Sequence, residues 1–118
     1  MNLGDAAQGA KMYSAVTGIS MTHEQMIKAM NPIITLERCI HVREGRRRKH
    51  DMYSELVYSA DSWKWTSKEE FSKIMDKYYA ARGWDIRTGI PRRSTLETLG
   101  LKKIANELEE KYEIAVPS

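Results

Sequence analysis

The chain has 118 residues, 42% hydrophobic and 30% charged, with a formal net charge of +3 and an isoelectric point near 9.0. This is ordinary globular usage and excludes a disordered chain. No apolar run approaches the ~18 residues that a membrane helix requires. The stretch from Met1 to Ala10 is polar and small, unlike a signal peptide. The expectation is one cytoplasmic domain spanning residues 1–118. Cys39 is the only cysteine, so no internal disulfide can form and the usual four thiolates of an iron–sulfur cluster are missing. The 16 acidic residues are interspersed with the 19 basic ones, a pattern that disfavours a nucleic-acid binder.

The chain contains no repeat, and helical spacing dominates. Ala6, Ala10, Tyr13 and Val16 share one face, and Gly18 is a C-terminal stop, which predicts a helix over about residues 5–16. Thr22 and Gln25 form a capping box, with Met21 and Met26 spaced as a hydrophobic staple. An apolar stripe then runs Met26, Met30, Ile33, Leu36, Ile40 and passes through Pro32. Proline costs about 3 kcal/mol inside a helix, so either one helix kinks at Asn31-Pro32 or two helices abut there. The unbroken phase of the stripe favours the kink. Gly45 ends this element.

Residues 46–65 show no clear period and predict one long irregular loop, with Leu56-Val57-Tyr58 as a short extended piece. Thr66 and Glu69 read as a second capping box. Phe71, Ile74, Met75, Tyr78 and Tyr79 follow at strongly amphipathic spacing, and Gly83 stops that helix. The stretch from Trp84 to Pro91 is rich in turn residues. Leu96 and Leu99 belong to a short helix closed by Gly100. Leu101, Ile104, Ala105, Leu108 and Tyr112 share a face of the last one, and Ile114 to Ser118 reads as extended or frayed. The fold class is all-α, with five to six helices.

Read in order, several segments resemble the C-terminal domain of the tungsten-containing aldehyde ferredoxin oxidoreductase family. They are Ala15-Val16-Thr17-Gly18 followed by Met21-Thr22, then Leu36-Glu37-Arg38 with Arg43-Glu44-Gly45, then Arg48-Lys49 and Asp51. Tyr78-Tyr79, Arg82-Gly83-Trp84-Asp85, Thr88-Gly89-Ile90-Pro91 and the run from Leu96 to Leu101 complete the set, over about residues 9–109. The resemblance implies tungstopterin and a [4Fe–4S] cluster in the complete enzyme. It also implies aldehyde oxidation, or reduction of activated aromatic acids, with electron transfer to ferredoxin-like partners. It places the cluster cysteines and the pterin-binding acids upstream of the matched region, so no cofactor is expected in this chain. The implied partners are tungstopterin- and cluster-bearing domains, in the same polypeptide or in a separate large subunit. Three departures stand out: Asn31-Pro32 replaces a usual Glu-Arg pair, Ser54 and Leu56 replace a proline and an arginine, and Arg92 replaces a small helix-capping hydroxyl residue whose role Ser94 could take.

The chemistry-bearing residues read mainly as structural. Cys39 and His41 lie two apart on different helix faces, so a metal site is disfavoured against a buried thiol and a solvated imidazole. His23 sits at the first turn of a helix and reads as a surface residue, and His50 completes no ligand set. Arg46, Arg47, Arg48 and Lys49 form the densest charge and are the candidate anion or partner contact. The competing reading is a solvated segment after a helix C-terminus, where the helix dipole favours cations. Tyr53, Tyr58, Trp63 and Trp65 read as cover for the helices or as an interface, ahead of a ligand platform. In Arg82-Gly83-Trp84-Asp85 the glycine serves a helix stop, and Asp85 caps the next turn or pairs with Arg82. No paired carboxylates, Ser/His/Asp set or phosphate loop appears, which predicts no catalytic site. The alternative function is a stand-alone helical interaction module that self-associates into a homo-oligomer and has no redox role.

Overall fold

The computed structural model describes residues 5–54, 58 and 67–118. Among these the chain is all-α, with six helices and one isolated antiparallel bridge, Trp84 to Pro91. The chain divides into two compact units, Met1–Ile34 and Thr35–Ser118. No helix among the described residues is long and apolar enough to cross a membrane. Trp63, Trp65, Thr66 and the piece Leu56-Val57 lie outside the described residues.

The first unit holds α1 (Ala6–Thr17) and the start of α2 (His23–Arg43). Asp5 caps α1 by accepting from the Ala7 amide, and Gly18 ends it at φ 74, where the left-handed backbone suits glycine. Ser14 Oγ donates to Ala10 O and accepts from the Met21 amide at 2.9 Å, fixing the connection to α2. Thr22 and Gln25 make the expected reciprocal capping box. The expected apolar face of α1 is only partly inward, since Ala10 is buried while Tyr13 and Val16 are exposed.

Helix α2 runs through Pro32 as one element. Its second half, from Thr35, belongs to the second unit. The predicted stripe is not its buried face. Met30, Ile33, Leu36 and Ile40 are exposed, whereas Thr35, Arg38, Cys39 and Val42 are buried. Those four positions also follow helical spacing, but two of them are polar, so hydrophobicity alone did not reveal the inward face.

The predicted loop over 46–65 contains a four-residue helix, α3 (Arg48–Asp51). Helix α4 (Lys68–Arg82) starts one residue later than expected, because the capping box is made by Ser67 and Glu70. Gly83 closes it in the left-handed region. A short α5 (Arg93–Thr98) has Arg92 at its N-cap without a side-chain cap, and Ser94 lies inside the helix instead of capping it. Helix α6 (Lys102–Glu110) completes the set. Cys39, Leu96, Ala105 and Leu108 form the core, with Ile104, Tyr112, Ile114 and Val116 packed against it. The tail is therefore not frayed: the Arg93 amide donates to Pro117 O at 2.7 Å, and Ile114 N to Leu108 O.

A buried ionic node as the candidate functional site

The buried face of α2 carries one full charge, Arg38, which is 6% exposed. An unpaired guanidinium there would be costly, so its partners define a dense polar arrangement among the described residues of the second unit. Arg38 Nε donates to Gly89 O at 2.9 Å. Its two terminal nitrogens reach the Asp51 carboxylate at 3.0 and 2.6 Å. Such a two-pronged pair is strong and directional. Arg46 Nε donates to the same carboxylate at 2.6 Å. The Tyr79 hydroxyl donates to Asp51 Oδ2 and accepts from Arg38 Nη2 at 3.4 Å. The Arg38 guanidinium also lies 5.1 Å from the Trp84 ring centroid and 5.6 Å from that of Tyr79, both within cation–π range.

Local structure delivers each member. Asp51 is the last residue of α3, and Tyr79 is the one buried residue of α4. Trp84 follows the Gly83 stop, and its amide donates to Tyr79 O. Gly89 sits at φ 76 in a turn that Asp85 organises by accepting from both the amide and the hydroxyl of Thr88. A Cβ on Gly89 would collide with Arg38 Nη2 and crowd the Tyr79 hydroxyl. Asp85 thus caps its turn as expected, and its second oxygen accepts from Arg92 at 3.4 Å.

The electrostatics follow from this geometry. Burial alone would raise the Asp51 carboxyl, but hydrogen bonds from Arg38, Tyr79 and Arg46 outweigh it and hold the group down at about 2. Burial, reinforced by the bond to Asp51, pushes the Tyr79 phenol up to about 12. Burial works against the Arg38 charge, yet the hydrogen bond and charge of Asp51 raise its pKa further. Asp51 is therefore an engaged carboxylate, a poor general base, and Tyr79 keeps its proton. The node ties α2, α3, α4 and the 85–90 turn together and presents no free reactive atom.

The four predicted contact residues separate. Arg46 joins the node, and Arg47 turns back to donate to Val42 O at 2.9 Å at the end of α2. Arg48 is held by Ile86 O, Ser72 O, Ser72 Oγ and Asp76 and lies 5.4 Å from the Tyr79 ring centroid. Lys49 is exposed. This segment is chiefly a clamp. Sequence reasoning singled out the arginine run but not the Arg38–Asp51–Tyr79 node, whose members appear only inside separate motifs. An arginine on the same face as Thr35, Cys39 and Val42 was the available signal.

Cys39 is 2% exposed, and burial pushes its thiol up to about 11, so a thiolate is disfavoured. His41 faces Glu37 at 3.8 Å, and His50 Nδ1 accepts from the Arg47 amide. No three His, Cys, Asp or Glu side chains converge among the described residues. The residues present do not fit an iron–sulfur cluster. Tyr53, half exposed, lies edge-on to Tyr58 and tilted against Phe71 of α4, at centroid distances of 6.3 and 5.0 Å.

Residues 1–101 match the family described as aldehyde ferredoxin oxidoreductase, domains 2 and 3. The chain belongs to the aldehyde ferredoxin oxidoreductase family. Among solved structures it is similar to a chain of the active site complex BamBC of benzoyl coenzyme A reductase in complex with 1,5-dienoyl-CoA. That likeness has a TM-score of 0.70 and 30% identity, covers 94% of this chain, and spans only 16% of the other.

Proposed function

We propose that this chain is the non-catalytic helical part of an oxidoreductase of the aldehyde ferredoxin oxidoreductase type. It packs against tungstopterin- and [4Fe–4S]-bearing domains, in the same polypeptide or in a separate large subunit, and helps wall the substrate channel. The observation that carries this reading is the family match over residues 1–101, set beside a solved relative of which the chain spans 16%. The chemistry of the residues supports it: the buried ionic node is fully engaged, and the one cysteine of the sequence cannot supply the four thiolates of a cluster. The complete enzyme handles aldehydes or activated aromatic acids. The acyl-CoA in the solved relative's complex favours the second class.

The test is metal analysis combined with copurification. Purified alone, the chain is expected to be colourless and free of tungsten and iron. Expressed with a tag in a host that makes tungstopterin, it is expected to bring down a polypeptide carrying both metals. Stoichiometric tungsten or iron in the chain alone would overturn the proposal. A stable metal-free homodimer with no such companion would instead favour the stand-alone interaction module.

A further inference from the structure

The first unit presents apolar side chains that it cannot bury by itself. Val16 is 84% exposed, Met12 66% and Ile33 65%, with Ile19, Ile27 and Met30 also in the exposed class. Ala10 is the only buried hydrophobic residue described in this unit. A two-helix piece of this size holds too little core to be stable alone, since segments below about 40 residues usually need outside support. Charge points the same way. Residues 5–34 contain four charged side chains, Asp5, Lys11, Glu24 and Lys28, although 30% of the whole chain is charged. Large apolar groups combined with depleted charge mark the centre of a protein interface, where an ordinary solvated face would carry Lys and Glu. The family match includes this unit, so it is part of the family's domain and not an appended arm.

We infer that the apolar, charge-poor surface of α1 and the first half of α2 is the docking surface for the larger, cofactor-bearing part of the enzyme. Its occupant is an uncharged apolar face of that polypeptide. The choice over a second copy of this chain rests on the proposed function and on the solved relative, whose chain is more than five times as long outside the matching portion as within it. Val16 and Ile33 are the residues expected to contribute most, because they are the most exposed β-branched side chains there.

The probe is the companion polypeptide identified by mass spectrometry in the copurification above, expressed separately and titrated with the full chain. Val16→Lys and Ile33→Glu place charge on the surface while respecting the helix: a cation suits the C-terminal turn of α1, and glutamate is a good helix former. Each is expected to weaken binding at least tenfold while circular dichroism stays unchanged, and Ile33→Val is expected to bind like the natural chain. Should either charged variant lose helicity, Val16→Ser and Ile33→Ser carry the same comparison. Binding by the charged variants equal to that of the natural chain would overturn this assignment and leave the proposed function standing. Failure of the natural chain to bind any such polypeptide would overturn the separate-subunit form of the proposed function and, with it, this assignment. A homodimer that Val16→Lys splits, with no third component, would assign the surface to a second copy and overturn the inference.

Discussion

At the scale of single residues, Asp51 is the most consequential side chain. Two guanidinium groups and a phenol converge on it, and removing one partner of a buried ion pair strands the others. Asp51→Asn is expected to lower the unfolding free energy by about 3 kcal/mol, read from the urea midpoint at neutral pH. A smaller loss, about 1–2 kcal/mol, is expected for Tyr79→Phe, which removes one donor to the carboxylate and one acceptor for Arg38. The pH dependence has a defined sign. The folded Asp51 carboxyl sits near 2, below its ordinary value of 3.8. Its contribution is thus fully present above about pH 4 and is lost as the pH falls toward 2. The urea midpoint of the natural chain should drop through that window more steeply than that of Asp51→Asn; parallel curves would contradict the assignment. Little of this was legible beforehand. Arg38 reaches a carbonyl 51 positions away, and no local spacing encodes such a contact.

At the scale of elements, two glycines predict opposite outcomes for the same substitution. Gly83 ends α4 at φ 72, and a Cβ there would run into the Thr95 hydroxyl, which donates to Gly83 O. Gly83→Ala is expected to destabilise the chain by more than about 1 kcal/mol. Gly9 lies inside α1 with nothing within 4 Å of the added carbon. Gly9→Ala should stabilise that helix by about 0.5–1 kcal/mol. Thermal melts of the two variants against the natural chain check both signs. Helix ends were the most legible feature of the sequence, because a cap is a local chemical event. Thr22 with Gln25, Gly18 and Gly83 all act as their residue types suggest. The inward face of α2 was much less legible. Its apolar stripe faces outward, and Thr35 and Arg38 occupy buried positions that a hydrophobic pattern assigns to solvent.

At the scale of the whole molecule, cohesion is uneven. From Thr35 onward the chain has a true core around Leu96, Ala105 and Leu108, a buried ionic node, and a tail pinned through Pro117. The all-α class and most of its helices could be read from periodicity. The weakness of the first unit could not, because Ala6, Ala10, Tyr13 and Val16 have the spacing of a core face whether or not anything covers them. Only their exposure distinguishes the two cases. Local stability follows the number of buried contacts that an opening must break. Native-state hydrogen exchange on the chain alone should therefore show low protection for the amides of α1. The amides of α2 from Thr35 to Arg43 and of α6 should approach the protection set by global unfolding. The contrast does not depend on α1 being a poor helix, since its caps are in place at both ends. It depends on α1 having almost no buried apolar area of its own. Adding the companion polypeptide proposed above should raise protection across α1 and leave α6 nearly unchanged. If α1 in the isolated chain were protected as strongly as α6, its exposed apolar face would need no partner, and the docking role assigned to it would fall.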